Sequence, residues 1–477
     1  MWSTLTSAVY PCRMALVAGV DSSTQSVKVV IRSAETGELI REGRAAHPHG
    51  TEVEPEKWWI ALNEALAQAG GLEDVAALSV GGQQHGMIAL DTSGAVIRPA
   101  LLWNDTRSAQ SAKDLNREIG GDQATADATG SVLLASFTAS KVRWLAENEP
   151  ELAEKVAAIA LPHDWLSWKL QGANEFAELF TDRSDASGTG YFDPTTSIYR
   201  RDIFAQAIKS ERERYLPRIV ASTEFGGETA SGVKIAAGAG DNAAAAFGLQ
   251  AVVGDVIVSL GTSGTAFSIS TNPTHDGTGE VAGFADLSGN YLPLVCTLNA
   301  ARILDAANRI LGVDFARLSQ LALKAPAGAG GLSLLPYFEG ERTPNRPSAT
   351  GVFSGMNLDN SNPECFARAM IEGMLSGLAD AVDSLSDQGV AINRIFLIGG
   401  AAKSPAVAQI ASSLFGREVL IPPAGEYVAN GAARQAAWAL TGDRPDWDLG
   451  KVELVNSQPT PQVLVKYRTL RDSTANW

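Results

Sequence analysis

Ala15-Leu16-Val17-Ala18-Gly19-Val20-Asp21-Ser22-Ser23-Thr24-Gln25-Ser26-Val27-Lys28-Val29-Val30-Ile31 decides the fold. Ala15–Val20 is an apolar strand, Asp21–Ser26 a polar turn and Val27–Ile31 a returning strand, so the stretch reads as a hairpin with a hydroxyl-rich tip. The same pattern recurs 240 residues later. Asp255–Leu260 is a strand, Gly261-Thr262-Ser263-Gly264 a turn and Thr265–Ser270 a strand. Between and after the hairpins, strands alternate with helices, the sign of an α/β protein. Pro55 opens a helix with Trp58, Trp59, Leu62 and Leu66 on one side, and Val75–Val80 is a strand. Helices are expected at 299–311, 363–386, 404–414 and 427–440, with a strand at Arg394–Ile398. Two halves that begin alike predict a duplicated fold with a cleft between them. The boundaries are an extension over 1–13, domains over 14–247 and 252–441, and a tail over 442–477.

Composition narrows the partners. Lys+Arg is 38 and Asp+Glu is 53, a net charge of −15. That sign argues against nucleic acid and against anionic membrane surfaces as partners. Cys12, Cys296 and Cys365 are too few and too scattered for disulfides or zinc. No stretch resembles a signal peptide or a membrane span, so a cytoplasmic location is expected.

Several residues carry candidate chemistry. Both hairpin tips offer backbone amides and hydroxyls of the kind that hold phosphate. No G-x-x-x-x-G-K-[ST] stretch is present. Lys28 could face phosphate, although an exposed strand lysine is the default. Asp241, after Gly238-Ala239-Gly240 and before an apolar helix, reads either as a helix N-cap or as a general base. Asn242 beside it could orient a hydroxyl. His85, in Gln83-Gln84-His85-Gly86, follows a buried strand and could face a ligand. His47, His49, His163 and His275 form no metal spacing with it, and any metal would be a hard cation, Mg²⁺. Trp103 offers an aromatic face to a sugar, and Arg107 could pair with Asp105 or with substrate. Glu341-Arg342 reads as a solvated salt pair.

These segments together are familiar. Gly19–Thr24, Gly82–Gly86, Leu102–Arg107, Phe137–Trp144, Leu161–Leu166, Thr181–Thr189 and Gly240–Ala244 occur in order in the first half. Ser259–Gly264, Glu339–Pro344, Gly351–Gly355 and Ile398–Ala401 follow in the second. Over about residues 15–441 the chain resembles the FGGY family of carbohydrate kinases, especially members that act on D-xylulose. The resemblance implies two duplicated actin-like/sugar-kinase (ribonuclease H-like) ATPase domains, with sugar on the first and nucleotide on the second. It implies ATP-dependent phosphorylation of D-xylulose to D-xylulose 5-phosphate, with Asp241 as base on the 5-hydroxyl. Asp21 would lie near Mg²⁺ and the phosphates. Gln84, His85, Trp103, Asp241 and Asn242 would line the sugar site. Thr24, Gln25, Ser26, Gly261 and Thr262 would contact phosphate, and Gly400, Ala401 and Ser404 the adenosine side. A homodimer is a further implication. Ser23 and Ser26 replace frequent glycines, and Gln84 stands where many relatives carry Met. Gly400-Ala401-Ala402-Lys403-Ser404 replaces a more glycine-rich stretch that carries Arg. A kinase for L-ribulose, glycerol or gluconate would use the same frame. A chaperone or filament ATPase would need a peptide-binding domain that is hard to place after residue 441.

Overall fold

The computed structural model describes residues 15–173 and 175–475. The extension expected over 1–13, with Cys12, lies outside them. The opening hairpin forms as expected: β1 (Leu16–Ser22) pairs antiparallel with β2 (Ser26–Ser33), which pairs with β3 (Leu39–Ala46). The helix α1 (Pro55–Gln68) buries Trp58, Leu62 and Leu66 and leads to β4 (Val75–Gly82), parallel to β1. The helix α2 (Pro162–Gln171) precedes β5 (Phe225–Glu228), β6 (Lys234–Ala236) and β7 (Ala239–Gly240). α3 (Asp241–Gly248) follows at once. The sheet runs β5-β6-β4-β1-β2-β3, with β7 also on β4. Strands β1 and β4 are apolar along most of their length, as strands covered on both faces must be.

The second half repeats the plan. β8 (Asp255–Leu260) and β9 (Gly264–Ser268) make its hairpin. β10 (Ala282–Ala285) and β11 (Tyr291–Thr297) extend the β9 side. α4 (Pro363–Asp387), capped by the Asn362 side chain on Cys365 N–H, buries Met370, Met374, Leu378 and Leu385 beneath the sheet. β12 (Arg394–Ile398), α5 (Pro405–Phe415) and β13 (Val419–Ile421) complete the parallel part. After α6 (Tyr427–Thr441) come β14 (Glu453–Val455) and α7 (Pro461–Ser473). The order is β10-β11-β9-β8-β12-β13-β14. Thus β11-β9-β8-β12-β13 matches β3-β2-β1-β4-β6, which is the expected duplication.

Two segments depart from expectation. α6, grouped with the second half, lies on the first sheet. A Cβ on Gly19 of β1 would sit 1.9 Å from Ala429 O, and one on Gly431 would sit 1.8 Å from Ala244 O in α3. Only glycine permits so close a backbone approach. Residues 442–477, read as a tail, contain a sheet-edge strand and a packed helix. β14 pairs with β13, and Val463, Tyr467 and Leu470 of α7 are buried at helical spacing. Among the described residues no helix is long and apolar enough to cross a membrane.

Candidate functional site

The two sheets face each other across a cleft of about 1430 Å³. Both β hairpins reach it, because both lie next to the central strand of their sheets. Asp21, Ser23 and Lys28 line it from the first half, and Ser259 and Gly261 from the second. In the hairpin register Asp21 is opposite Lys28, so their side chains share a face. Lys28 Nζ is 3.3 Å from Asp21 Oδ2 and 2.6 Å from Glu426 Oε2, just before α6. Lys28 is therefore a half-buried cleft cation and not the exposed strand lysine of the default reading. Burial raises the Asp21 carboxyl above its ordinary range despite Lys28, and the Ser23 hydroxyl donates to its Oδ1.

Asp241 opens α3 on the same wall. Gly240 holds the N-cap position, and Asp241 Oδ1 accepts from Asn242 N–H (2.7 Å) and Asn242 Nδ2 (2.8 Å). The N-cap alternative does not apply. Asn242 holds the carboxylate through both bonds. Burial, then the neighbouring Asp21 charge, pushes the Asp241 pKa up to about 7. The preceding loop is held from α6: Gly238 N–H donates to Gln435 Oε1, and Gln435 Nε2 donates to Gly238 O.

His85 lies in the left-handed region (φ 70°) and is buried. Its Nδ1 is 2.5 Å from Gly188 O, and Phe137 and Phe284 flank the ring. Burial and the Lys141 charge lower its pKa to about 3. The ring is therefore neutral, with Nδ1 the donor and Nε2 the acceptor. Gln84 Nε2 donates to Ser184 O, and its side chain fills the space a Cβ on Gly240 would take. Trp103 donates its indole N–H to Thr24 Oγ1 at 2.8 Å, joining a residue expected at the sugar to one expected at phosphate. Arg107 pairs with Asp105, one of its two expected partners, and with Glu52.

On the opposite wall, Gly400 and Ser404 line the cleft with Gly399, Ala402 and Lys403. A Cβ on Gly400 would meet nothing within 4 Å, so this wall is open. Ala401 instead packs into the second core, since the turn points its methyl inward. Thr262 is exposed at its tip, and Gln25 is exposed at the first. Ser26 is buried and paired with Ala46. Glu341 is not a solvated ion-pair member: it is buried and accepts from Leu298 N–H, Arg342 N–H and Asn299 Nδ2. Spacing also missed His163, which meets Asp164, Asp182 and Asp185 in the first-half interior. Asp21, with Asp241 close enough to feel its charge, presents oxygen donors at the cleft, a set suited to a hard cation such as Mg²⁺.

Comparison with known proteins agrees with this arrangement. Residues 16–248 match the N-terminal domain of the FGGY family of carbohydrate kinases, and residues 256–440 match its C-terminal domain. A xylulose kinase of Streptomyces coelicolor is 44% identical over 442 residues, covering 90% of this chain and 89% of that protein. One from Escherichia coli is 33% identical over 467 residues, 93% of each. The crystal structure of a xylulose kinase from Bifidobacterium adolescentis superposes with a TM-score of 0.90 at 47% identity, covering 96% of this chain and 99% of that one. Two duplicated sheets, a cleft lined by both hairpins and matches along both halves place the chain in the FGGY family of carbohydrate kinases.

Proposed function

We propose that the chain transfers the γ-phosphoryl group of ATP to the 5-hydroxyl of D-xylulose, giving D-xylulose 5-phosphate and ADP. The observation that carries this reading is Asp241: a carboxyl on the cleft wall, tied at Oδ1 by Asn242 and pushed up to a pKa of about 7. Such a group takes the hydroxyl proton as the sugar oxygen bonds to phosphorus and the bond to the ADP oxygen breaks. Neutral His85 offers Nε2 as acceptor for a sugar hydroxyl, and Trp103 an apolar ring face. Lys28 and the amides of the two hairpin tips would face the triphosphate. Asp21 would hold Mg²⁺, which neutralises charge on the transferring phosphoryl group. Gly400 and Ser404 would border the nucleoside. Similarity to xylulose kinases over nine-tenths of the chain supports the ketopentose.

The test is ADP release with D-xylulose, L-ribulose, glycerol and gluconate in parallel. D-xylulose is expected to give the highest kcat/KM, and Asp241→Asn to lower kcat by about 10²–10⁴. Preference for another acceptor would replace the sugar assignment, and near-normal turnover by the variant would remove Asp241 from its role.

A further inference from the structure

His163 lies near the start of α2, with no exposed surface. Its Nε2 is 3.3 Å from Asp164 Oδ1, 3.3 Å from Asp185 Oδ2 and 3.6 Å from Asp182 Oδ1. All three carboxylates are buried. Both Asp185 oxygens, Asp164 Oδ1 and His163 Nδ1 have no hydrogen-bond partner among the described residues. Burying such a group is costly, and well-packed apolar residues would serve stability as well.

The cluster connects to the cleft through Ser184 and through the loop before Asp241. Asp182 accepts from Ser184 N–H (2.7 Å) and Asp185 N–H (3.0 Å), which fixes the 182–186 turn. Ser184 then accepts twice: its Oγ from Gly240 N–H (3.1 Å), its carbonyl from Gln84 Nε2 (3.2 Å). Gly240 immediately precedes Asp241. The imidazole packs against the same loop from below, for a Cβ on Gly238 would sit 2.7 Å from Nδ1.

We propose that His163, with Asp164, Asp182 and Asp185, is a positioning unit that sets the Asp241 carboxylate through Ser184 and the Gly238–Gly240 loop. This rests on the reading of Asp241 as general base. His163 touches no substrate. Its ring faces all three acidic groups, of which burial holds Asp185 well above its ordinary range and Asp164 up at about 6, and that arrangement holds the turn. A displacement of the base by about 1 Å would cost on the order of 10² in rate.

The groups facing His163 are Asp164 from α2, then Asp182, Asp185 and the Thr181 hydroxyl from the following turn. Tyr191 and Tyr199 lie beyond them, and Asp241 faces Asp185 from α3. From the strand ends, Gly82 and Gly238 pack against His163. The carboxylates raise the His163 pKa to about 9, against the cost of burial. As pH rises through that value the ring loses its charge, the carboxylates lose their partner and kcat falls.

The experiment is the kcat–pH profile of the full chain with D-xylulose and Mg-ATP. His163→Gln is expected to lower kcat about tenfold or more, leave both KM values within about threefold and abolish the fall near pH 9. Ser184→Ala should lose a similar factor yet keep that fall, and the double variant should be no slower than the worse single one. Asp185→Asn, which keeps the side chain's size, should move the fall to lower pH by removing an acidic neighbour that favours the charged ring, and serves if His163→Gln does not fold. An unchanged profile in His163→Gln or in Asp185→Asn, or losses that multiply, would overturn the inference. Asp241→Asn separates the two ideas. If it is inactive while His163→Gln behaves as wild type, only the positioning role fails. If it turns over normally, the base itself is misassigned.

Discussion

A half-buried carboxyl set beside a buried one, as Asp241 is beside Asp21, keeps its proton to higher pH than the unfolded chain does. Folding and chemistry then make opposite demands on it. The unfolded group ionises from its ordinary 3.8, the folded one only from about 7, so the folded state binds the extra proton and stability falls as pH rises through that interval. The penalty at neutral pH is at most on the order of 4 kcal/mol. Asp241→Asn keeps the Oδ1 acceptor for Asn242 and removes the charge. It should therefore unfold at higher temperature than wild type at about pH 8 and at the same temperature at about pH 4, read by calorimetry. Wild-type kcat/KM should rise through the same interval, because the base works only when ionised. Equal midpoints at both pH values would show that the Asp241 charge is not penalised by folding. Asp241 was legible because its glycine-rich approach and following helix are local. Lys28 was not: its place in the cleft depends on the register that sets it opposite Asp21, and a one-residue slip would have turned it to the other face.

Helix α6 is the element where local reading and tertiary role part. Its length and helical character follow from Tyr427–Leu440, but its partner is in the other half of the chain. It crosses α3 at two glycines: a Cβ on Gly431 would sit 1.8 Å from Ala244 O, and one on Gly248 would sit 2.2 Å from Tyr427 O. Arg434 adds bonds to Phe247 O and Pro445 O, and Gln435 holds the loop before Asp241. Because α3 leads into the second sheet and α6 returns from it, the chain passes between the halves at this crossing. Gly431→Ala should cost about 1–3 kcal/mol or more from overpacking. It should lower the urea midpoint and, with Asp241 as the proposed base, kcat together, since the same helix holds the loop before Asp241. A stable variant with normal kcat would show that the crossing tolerates separation. Nothing in the sequence of either helix names the other; the glycines mark only that something comes close. The buried face of α7 was overlooked for a different reason, three apolar residues among many polar ones.

Across the whole molecule, the cleft is larger than the 300–1,000 Å³ usual for a single ligand site. Its candidate site residues sit on opposite walls: Asp21 and Asp241 on one, Gly261, Gly400 and Ser404 on the other. In-line transfer requires the acceptor oxygen and phosphorus to come within about 3–3.5 Å, and narrowing of so large a cleft is the expected route to that separation. Water must also leave, or it would take the phosphoryl group in place of the sugar. The duplicated architecture supplies the means, two rigid sheets joined through the α3–α6 crossing. Small-angle scattering should therefore record a smaller radius of gyration with D-xylulose and a non-hydrolysable ATP analogue than with neither. Asp241→Asn should contract equally, because closure draws on binding contacts and the base acts afterwards. ADP formation without sugar should stay below about 1% of the rate with it. A constant radius, together with rapid sugar-independent hydrolysis, would mean that the open cleft is already the reactive form.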